Sequence, residues 1–264
     1  MSRLGGKVAL VLGAAGVNNM GQGIARRLAG EGARVVVAGR HDAPLAALAE
    51  EIGGAHLLCD ITDKAGVDAA VQATVHKFGK VDIGVNATGW GLMKALTETT
   101  EDDLDKMVGI QFKGPIFFFQ ALIPAMPQGG SIIQISSATA SIMLEHHAAY
   151  MGTKAGIDHV IRAIANEYGH QGIRANSISP GLTKTPMSGA SCDNPAFLAS
   201  FEREYPLGRI GTIEDIAAAV VWLASDECFM TGENLQVNGG LTLRRNPTFA
   251  EIGDALSDLD HLGA

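Results

Sequence analysis

The sequence predicts an α/β protein in which helices cover both faces of a parallel sheet, and three observations support this fold class. Short apolar runs rich in β-branched residues alternate with longer helical patterns along the whole chain. The runs are continuously apolar, as is typical of parallel strands buried on both faces. Of the 264 residues, 47 % are apolar, which is enough for a substantial core.

The predicted elements follow one another in the order that a doubly wound sheet requires. Apolar runs predict strands at Val8–Leu12, Arg34–Ala38, Ala55–Asp60, Val81–Asn86, Ser131–Ile135, Arg174–Ile178 and Leu235–Val237. Helical patterns lie between them at Gly21–Gly30, Pro44–Ile52, Lys64–Phe78, Asp102–Ile123, Ala148–His170 and Ile213–Ser225. We find no repeat and no linker, so the chain is predicted to be a single-domain Rossmann fold over residues 1–264, with about seven strands.

Two segments do not fit the alternation of strand and helix. Residues 186–207 form a long connection with Pro, Ser, Asn and Gly, and loops of this length are often lids or binding loops. We therefore expect 186–207 to act as a substrate lid, with Phe197 and Phe201 as its apolar surface; a permanently packed surface helix is the alternative. The segment 241–264 is expected to form a C-terminal tail with helical spacing.

Bulk composition excludes several classes of partner. The net charge is −8 without a Lys/Arg-rich run, so nucleic acid is an unexpected partner. The three cysteines have no metal-ligand or redox spacing, so no metal is expected and a cytoplasmic location is favoured. The apolar stretch Ile110–Met126 is interrupted by polar residues and prolines and is too broken for a membrane span.

Glycines after the first strand predict a dinucleotide site. Gly13, Gly21 and Gly23 open the first helix, where glycine lets the backbone approach a pyrophosphate and the helix N-terminus attracts its charge. At the end of the second strand, where an acid would bind the ribose of NAD, stand Gly39 and Arg40. A guanidinium suits the 2′-phosphate of NADP, so NADP is favoured and NAD stays possible.

The pattern Tyr150-Met151-Gly152-Thr153-Lys154 predicts acid–base chemistry. A tyrosine with its ordinary pKa of about 10 is a poor catalyst near neutral pH. A lysine four residues later on a helix lies on the same face, and its charge is expected to lower the tyrosine pKa. Ser137, thirteen residues before Tyr150, can hold the same substrate oxygen with its hydroxyl.

Together these motifs resemble the short-chain dehydrogenase/reductase family from Lys7 to about Gly240. Ser137, Tyr150 and Lys154 match the family's catalytic residues, and Gln111 stands at the place of its catalytic asparagine. The resemblance implies that the cofactor is held by the glycine loop and by motifs further along the chain: Gly13, Asn19, Met20, Gly21, Gly23, Arg40, Asp60, Ile61, Asn86, Ala87, Gly89, Tyr150, Lys154, Pro180, Gly181, Thr183 and Thr185.

The chain departs from the family pattern at three places. Leu12 replaces a threonine, and seven residues rather than three separate Gly13 from Gly21, which predicts a longer phosphate loop over Ala14–Met20. Enoyl-thioester reductases of the superfamily also enlarge this loop, but they space tyrosine and lysine farther apart. Glutamine at 111 keeps the amide on a longer stem, so a proton relay with shifted geometry is expected.

The resemblance implies an NADP(H)-preferring enzyme that interconverts a ketone and a secondary alcohol, assembled as a homotetramer or dimer. Trp90, Met93, Met143 and Leu144 fall beside the expected pocket and favour a small apolar substrate, although core packing explains each of them equally well. His146 and His147 are pocket-wall or loop residues in one interpretation and substrate contacts in the other. The alternatives are a 3-oxoacyl-thioester reductase and a catalytically idle dinucleotide-binding regulator.

Overall fold

A computed structural model of the chain describes residues 2–262, with the backbone alone for residue 190 and residues 258–262. It confirms the predicted fold class. Seven parallel strands form one sheet in the order β3-β2-β1-β4-β5-β6-β7. The strands are β1 (Val8–Leu12), β2 (Arg34–Gly39), β3 (Ala55–Leu58), β4 (Ile83–Asn86), β5 (Gly130–Ile135), β6 (Ile173–Pro180) and β7 (Asn234–Val237).

Nine α-helices accompany the sheet within the described residues. They are α1 (Met20–Gly30), α2 (Asp42–Glu51), α3 (Lys64–Phe78), α4 (Glu101–Val108), α5 (Gly114–Leu122), α6 (Ala148–Tyr168), α7 (Pro195–Glu202), α8 (Ile213–Ala224) and α9 (Phe249–Leu262). None of the helices in this part of the chain is long and apolar enough to cross a membrane.

Alternate residues of the strands supply two hydrophobic layers, one on each face of the sheet. Val35 and Val37 point to the layer under α1, α2 and α8, whereas Val36 and Ala38 point to the layer under α3, α5 and α6. All four side chains are almost fully buried, which confirms that the continuous apolar runs are strands covered on both faces.

The prediction of one continuous helix over Asp102–Ile123 is wrong, because the helix is interrupted in its middle. A single π-helical turn, Gly109–Lys113, separates α4 from α5, and the N–H of Gly114 bonds to the carbonyl of Gly109. Pro115 supplies the physical reason, because proline has no N–H and its ring would clash with the carbonyl of residue 111 in a continuous helix. The chain also passes close to Ile61, since a Cβ atom at Gly114 would lie 2.7 Å from the Ile61 carbonyl oxygen.

The predicted third strand also ends early, at Leu58 rather than Asp60. The Asp60 carboxylate accepts hydrogen bonds from the Thr62 N–H at 2.9 Å and the Thr62 hydroxyl at 2.7 Å. These local bonds compete with a strand and turn the chain away from the sheet.

The expected lid contains a short 3₁₀ helix and α7, and α7 packs against α9. Phe201 was expected to lie on the substrate, but it is only 6 % exposed and belongs to a third hydrophobic cluster with Tyr205, Leu241 and Ile252. The tail beyond residue 241 therefore covers this segment, apart from residues 263–264, which lie outside the described part. Movement of residues 186–207 stays a prediction.

Replacing Phe201 by alanine should lower the free energy of unfolding by about 3–5 kcal/mol, as is typical of a buried phenylalanine. Urea denaturation measures this loss. Phe197→Ala is the matched control on the same helix, because Phe197 is only partly buried and should cost less. Equal losses in the two variants would contradict the assignment of Phe201 to a core.

Candidate active site

The predicted site residues meet at the carboxyl edge of the sheet. Ser137 follows β5, and Tyr150 and Lys154 lie in the first turns of α6. The glycine loop follows β1, next to β4, where the order of strands reverses. Ligands of open α/β sheets bind at such switch points, outside the carboxyl ends of the strands.

Lys154 is nearly inaccessible to solvent, with 3 % of its surface exposed. Its Nζ donates a hydrogen bond of 2.8 Å to the carbonyl oxygen of Ile135, the last residue of β5. Burial lowers the pKa of Lys154 to about 8, and the negative charge of Asp158 opposes this shift. The ammonium lies 5.6 Å from the ring centre of Tyr150, so the two side chains are neighbours as the spacing predicted.

The pKa of Tyr150 is raised in this structure, whereas the sequence led us to expect a lowered pKa. Removal of the phenol from water raises the pKa because a phenolate loses its hydration, and the Ser137 hydroxyl opposes this shift. Lys154 does not reverse the shift, since its ammonium is held by the Ile135 carbonyl rather than by the phenol oxygen.

Ser137 is held at the junction of β5 and β6. Its Oγ lies 2.8 Å from Oγ1 of Thr139 and accepts a hydrogen bond from the Thr139 N–H at 3.2 Å. Its carbonyl accepts a hydrogen bond of 3.0 Å from the hydroxyl of Ser179. These contacts fix the Ser137 backbone beside the loop that follows β6.

Gln111 lies buried in the π-helical turn and joins three parts of the site. Its Nε2 donates to Oγ1 of Thr153 at 3.1 Å, and its Oε1 accepts the N–H of Trp90 at 3.4 Å. The Thr153 hydroxyl donates in turn to the backbone carbonyl of Tyr150 at 2.9 Å. The longer amide therefore reaches α6, one residue before Lys154.

Two of the three glycines of the loop lie against neighbouring backbone, so no side chain fits there; their approach to a pyrophosphate stays a prediction. Gly13 adopts a φ of 103°, and a Cβ atom there would lie 2.6 Å from the Ala87 backbone. A Cβ atom at Gly21 would lie 2.5 Å from the Gly13 carbonyl. A Cβ atom at Gly23 would instead collide with Ile213 of α8, so this glycine serves helix packing.

Asn19 connects the enlarged loop to the first helix. Its side chain caps α1 by accepting the Gln22 N–H at 2.9 Å and donates to the Gly13 carbonyl at 2.8 Å. Met20 is half-buried at the first position of α1. The enlarged loop thus leads into the N-terminus of α1, and a helix N-terminus suits the charge of a pyrophosphate.

The end of β2 has no room for the acid that NAD-binding sites carry. A Cβ atom at Gly39 would lie 2.6 Å from Cβ of Ala15 in the glycine loop. Arg40 is exposed, and its charge lowers the pKa of Asp60 together with the stronger hydrogen bonds from Thr62. Arg40 and Asp60 therefore lie near each other on one edge of the expected adenosine pocket.

The Asn86 side chain stabilises the loop after β4 from inside the protein and does not line the expected cofactor site. The Asn86 amide is bonded inside the protein, donating to Oε1 of Gln134 at 2.8 Å and accepting from the N–H and hydroxyl of Thr88. The Ala87 backbone lies where a Cβ atom of Gly13 would be, and Gly89 lies beside the side-chain amide of Gln111. Buried Ile61 lies against Gly114, at the start of α5.

The loop after β6 lies against a buried tyrosine that sequence reasoning did not single out. Gly181 has no room for a side chain because the Tyr205 hydroxyl occupies that space. Thr183 donates to the Gly181 carbonyl at 3.1 Å, and the Thr185 N–H donates to the Ser188 hydroxyl at 3.0 Å. Pro180 ends β6 and starts this loop.

His147 adjoins Tyr150 with the two rings edge to face, 5.8 Å apart. Burial lowers the pKa of His147, and its Nδ1 lies 3.1 Å from the Glu145 carbonyl oxygen. His146 instead lies against Phe249 of the tail, with ring centroids 4.7 Å apart and the ring planes tilted by 59°. Of the two, only His147 contacts a predicted catalytic side chain.

Comparison with known proteins identifies related sequences over almost the whole chain. A family model described as "Enoyl-(Acyl carrier protein) reductase" matches residues 13–242. D-threitol dehydrogenase of Mycolicibacterium smegmatis is 36 % identical, with 92 % of this chain and 95 % of the relative aligned. The 3β-hydroxysteroid dehydrogenase 1 of Eggerthella lenta is 34 % identical, with 91 % and 95 % aligned.

Solved structures share the same architecture. A short-chain type dehydrogenase/reductase from Mycobacterium ulcerans superposes with a TM-score of 0.88 at 30 % identity, covering 92 % of each chain. A gluconate 5-dehydrogenase from Burkholderia cenocepacia, in complex with NADP and tartrate, superposes with a TM-score of 0.87 at 29 % identity, covering 91 % of this chain and 97 % of that one.

Shortening Gln111 to asparagine should lower kcat while leaving the melting temperature nearly unchanged. The shorter amide cannot span from the π-helical turn to both Thr153 and Trp90, so the link to α6 is broken. Steady-state kinetics across pH and differential scanning calorimetry measure the two effects. An unchanged kcat and pH profile would show that this amide has no part in turnover.

Proposed function

Since the chain belongs to the short-chain dehydrogenase/reductase family and is an NAD(P)-dependent oxidoreductase acting on CH–OH or C=O groups, we propose that it interconverts a ketone and a secondary alcohol with a preference for NADP(H). The observation that carries this proposal is the meeting of Ser137, Tyr150 and a buried Lys154 beside the glycine loop. The enzyme names of the relatives speak against the idle regulator.

Each of the three residues has a separate role in the proposed reaction. The bound nicotinamide supplies or accepts the hydride. Tyr150 gives its proton to the carbonyl oxygen during reduction and takes it back during oxidation. Ser137 holds the same oxygen with its hydroxyl, and the Lys154 charge stabilises the phenolate that forms on Tyr150. We propose that Gln111 positions α6 rather than carrying the expected proton relay, because its bond to Thr153 leads to the backbone carbonyl of Tyr150, which passes no proton on.

The end of β2 supports NADP over NAD. A carboxylate side chain at Gly39 would collide with Ala15, and Arg40 beside it is exposed, where its guanidinium suits a 2′-phosphate. The proposed cofactor contacts lie on α6 and in the five loops after β1, β2, β3, β4 and β6: Gly13, Asn19, Met20, Gly21, Arg40, Asp60, Ala87, Gly89, Tyr150, Lys154, Pro180, Gly181, Thr183 and Thr185. Asn86 and Ile61 are buried, and we propose that they act by shaping these loops. Gly23 acts indirectly, by letting α1 approach α8.

Exposed methionines support a small apolar substrate. Met93, Met143 and Met187 follow β4, β5 and β6 respectively, and each is at least 61 % exposed. Met187 lies beside the loop after β4, since a Cβ atom at Gly91 would be 3.9 Å from its sulfur. Flexible apolar side chains at the mouth of a cleft are suited to apolar ligands of varied shape. A homotetramer or dimer in the cytoplasm is the proposed assembly and location.

A substrate panel tests the proposed function directly. NADPH absorbance is followed with cyclic and linear ketones, with a 3-oxoacyl thioester and with an enoyl thioester, and NADP⁺ reduction is followed with the matching alcohols. We expect turnover of ketones and secondary alcohols. Turnover of a thioester alone would contradict the proposal.

Replacing Tyr150 by phenylalanine should nearly abolish turnover but leave cofactor affinity largely intact. The ring keeps its packing against His147, while the oxygen that exchanges the proton is lost. Steady-state rates and NADPH fluorescence titration measure the two effects on the same preparation. Turnover like that of the wild type would remove Tyr150 from the mechanism.

Replacing Arg40 by alanine should weaken NADPH binding far more than NADH binding. A lost hydrogen bond to a charged group costs about 1.5–3 kcal/mol, which is roughly a ten- to hundredfold loss in affinity. Arg34→Ala, at the other end of the same strand, is the matched control and should change neither affinity. Equal losses for both cofactors in Arg40→Ala, or a wild-type preference for NADH, would contradict the assignment.

A further inference from the structure

A third ionisable side chain continues the line of Tyr150 and Lys154 along α6. Asp158 lies four residues after Lys154, so the three side chains occupy one face of the helix in successive turns. None of the sequence motifs pointed to Asp158, and the proposed reaction assigns it no part.

The Asp158 carboxylate is enclosed by three strands. Its Oδ2 accepts hydrogen bonds from the Ser136 hydroxyl after β5 at 2.8 Å and from the Asn234 amide of β7 at 2.5 Å. Ser177 of β6 also adjoins the carboxylate. Asp158 Oδ1 and Ser177 Oγ are both buried without a hydrogen-bond partner among the described residues.

The neighbours of Asp158 include only one charged group in the described part of the chain. β5, β6 and β7 contribute neutral groups, from Ser136, Ser177 and Asn234, and α6 itself contributes the Lys154 ammonium. Burial raises the pKa of Asp158, and the hydrogen bonds from Ser136 and Asn234 and the Lys154 charge oppose that shift. A buried carboxylate and a buried ammonium each lose hydration, and each favours the charged form of the other.

The same carboxylate also reaches the strand end that carries the catalytic serine. Ser136, which bonds Asp158, directly precedes Ser137, and Ile135, which accepts the Lys154 ammonium, directly precedes Ser136. Asp158 therefore contacts the end of β5, which positions Ser137 and Lys154, but it does not reach the expected position of substrate or cofactor.

We propose that Asp158 is a positioning residue whose buried carboxylate keeps Lys154 in its ammonium form over the working pH range and fixes the end of β5 beside it. This inference rests on the proposed function, because it concerns the lysine that serves Tyr150. Without the carboxylate, Lys154 loses its proton at a lower pH, and the site then loses the charge that stabilises the phenolate.

Asp158→Asn tests this inference through the pH dependence of ketone reduction. The amide keeps the size of the side chain and removes the charge. We expect kcat/KM to stay within about threefold of wild type at pH 6 and the midpoint of its alkaline decline to move down by roughly one pH unit, the lower end of the effect of a close opposite charge. Above both midpoints, the activity is then about tenfold below wild type.

The size of the shift separates Lys154 from Tyr150. Removing the Asp158 charge lowers the pKa of either group, but Lys154 lies one helical turn away and Tyr150 lies two turns away. A midpoint set by Tyr150 should therefore move by much less than one pH unit, and such a small shift would contradict the inference. Ser136→Ala is the matched control, because it removes a hydrogen bond to the same carboxylate and keeps the charge, and its midpoint should equal that of wild type.

An unmoved midpoint in Asp158→Asn, or an equal loss of activity at every pH, would overturn the inference. If Asp158→Asn does not fold, as judged by circular dichroism, Asp158→Ser removes the same charge with a smaller polar side chain and is held to the same outcomes. Failure of the proposed function has a different signature, since Tyr150→Phe would then retain turnover.

Discussion

Burial of the Lys154 ammonium is the constraint on which the rest of the site depends. A charged group removed from water needs partners at fixed positions, and the ammonium finds one in the Ile135 carbonyl at 2.8 Å. That bond joins α6 to the last residue of β5. It thereby sets Tyr150, one helical turn before the lysine, and Ser137, two residues after the strand, on the two sides of one cleft.

The parallel sheet brings the remaining parts to the same edge. All seven strands run in one direction, so the loops after β1, β4, β5 and β6 emerge together. The π-helical turn between α4 and α5 adds the Gln111 amide from the side, and its bonds to Thr153 and Trp90 connect the catalytic helix with the loop after β4. Such turns occur frequently at functional sites, because the extra residue redirects a side chain.

The proposed preference for NADP rests on positions without a side chain as much as on the side chains present. At Gly13 and Gly39, other residues of the protein lie where a Cβ atom would be. The glycine loop therefore packs closely against both β2 and the loop after β4. A carboxylate cannot be added at Gly39 without moving Ala15. Arg40 directly follows Gly39, so its exposed guanidinium is the nearest charged group in the sequence to the position where the ribose is expected.

Local patterns in the sequence were enough to predict the seven strands and their parallel fold, since strand and helix periods repeat within a few residues. They were also enough to place Ser137, Tyr150 and Lys154, because helical spacing puts the last two on one face. Contacts between distant residues decided the rest. The break at Gly109–Lys113 depends on Ile61 as well as Pro115, the burial of Phe201 depends on Ile252, and the enclosure of Asp158 depends on Asn234. The raised pKa of Tyr150 likewise follows from loss of hydration, which arises only when the chain has closed around the phenol.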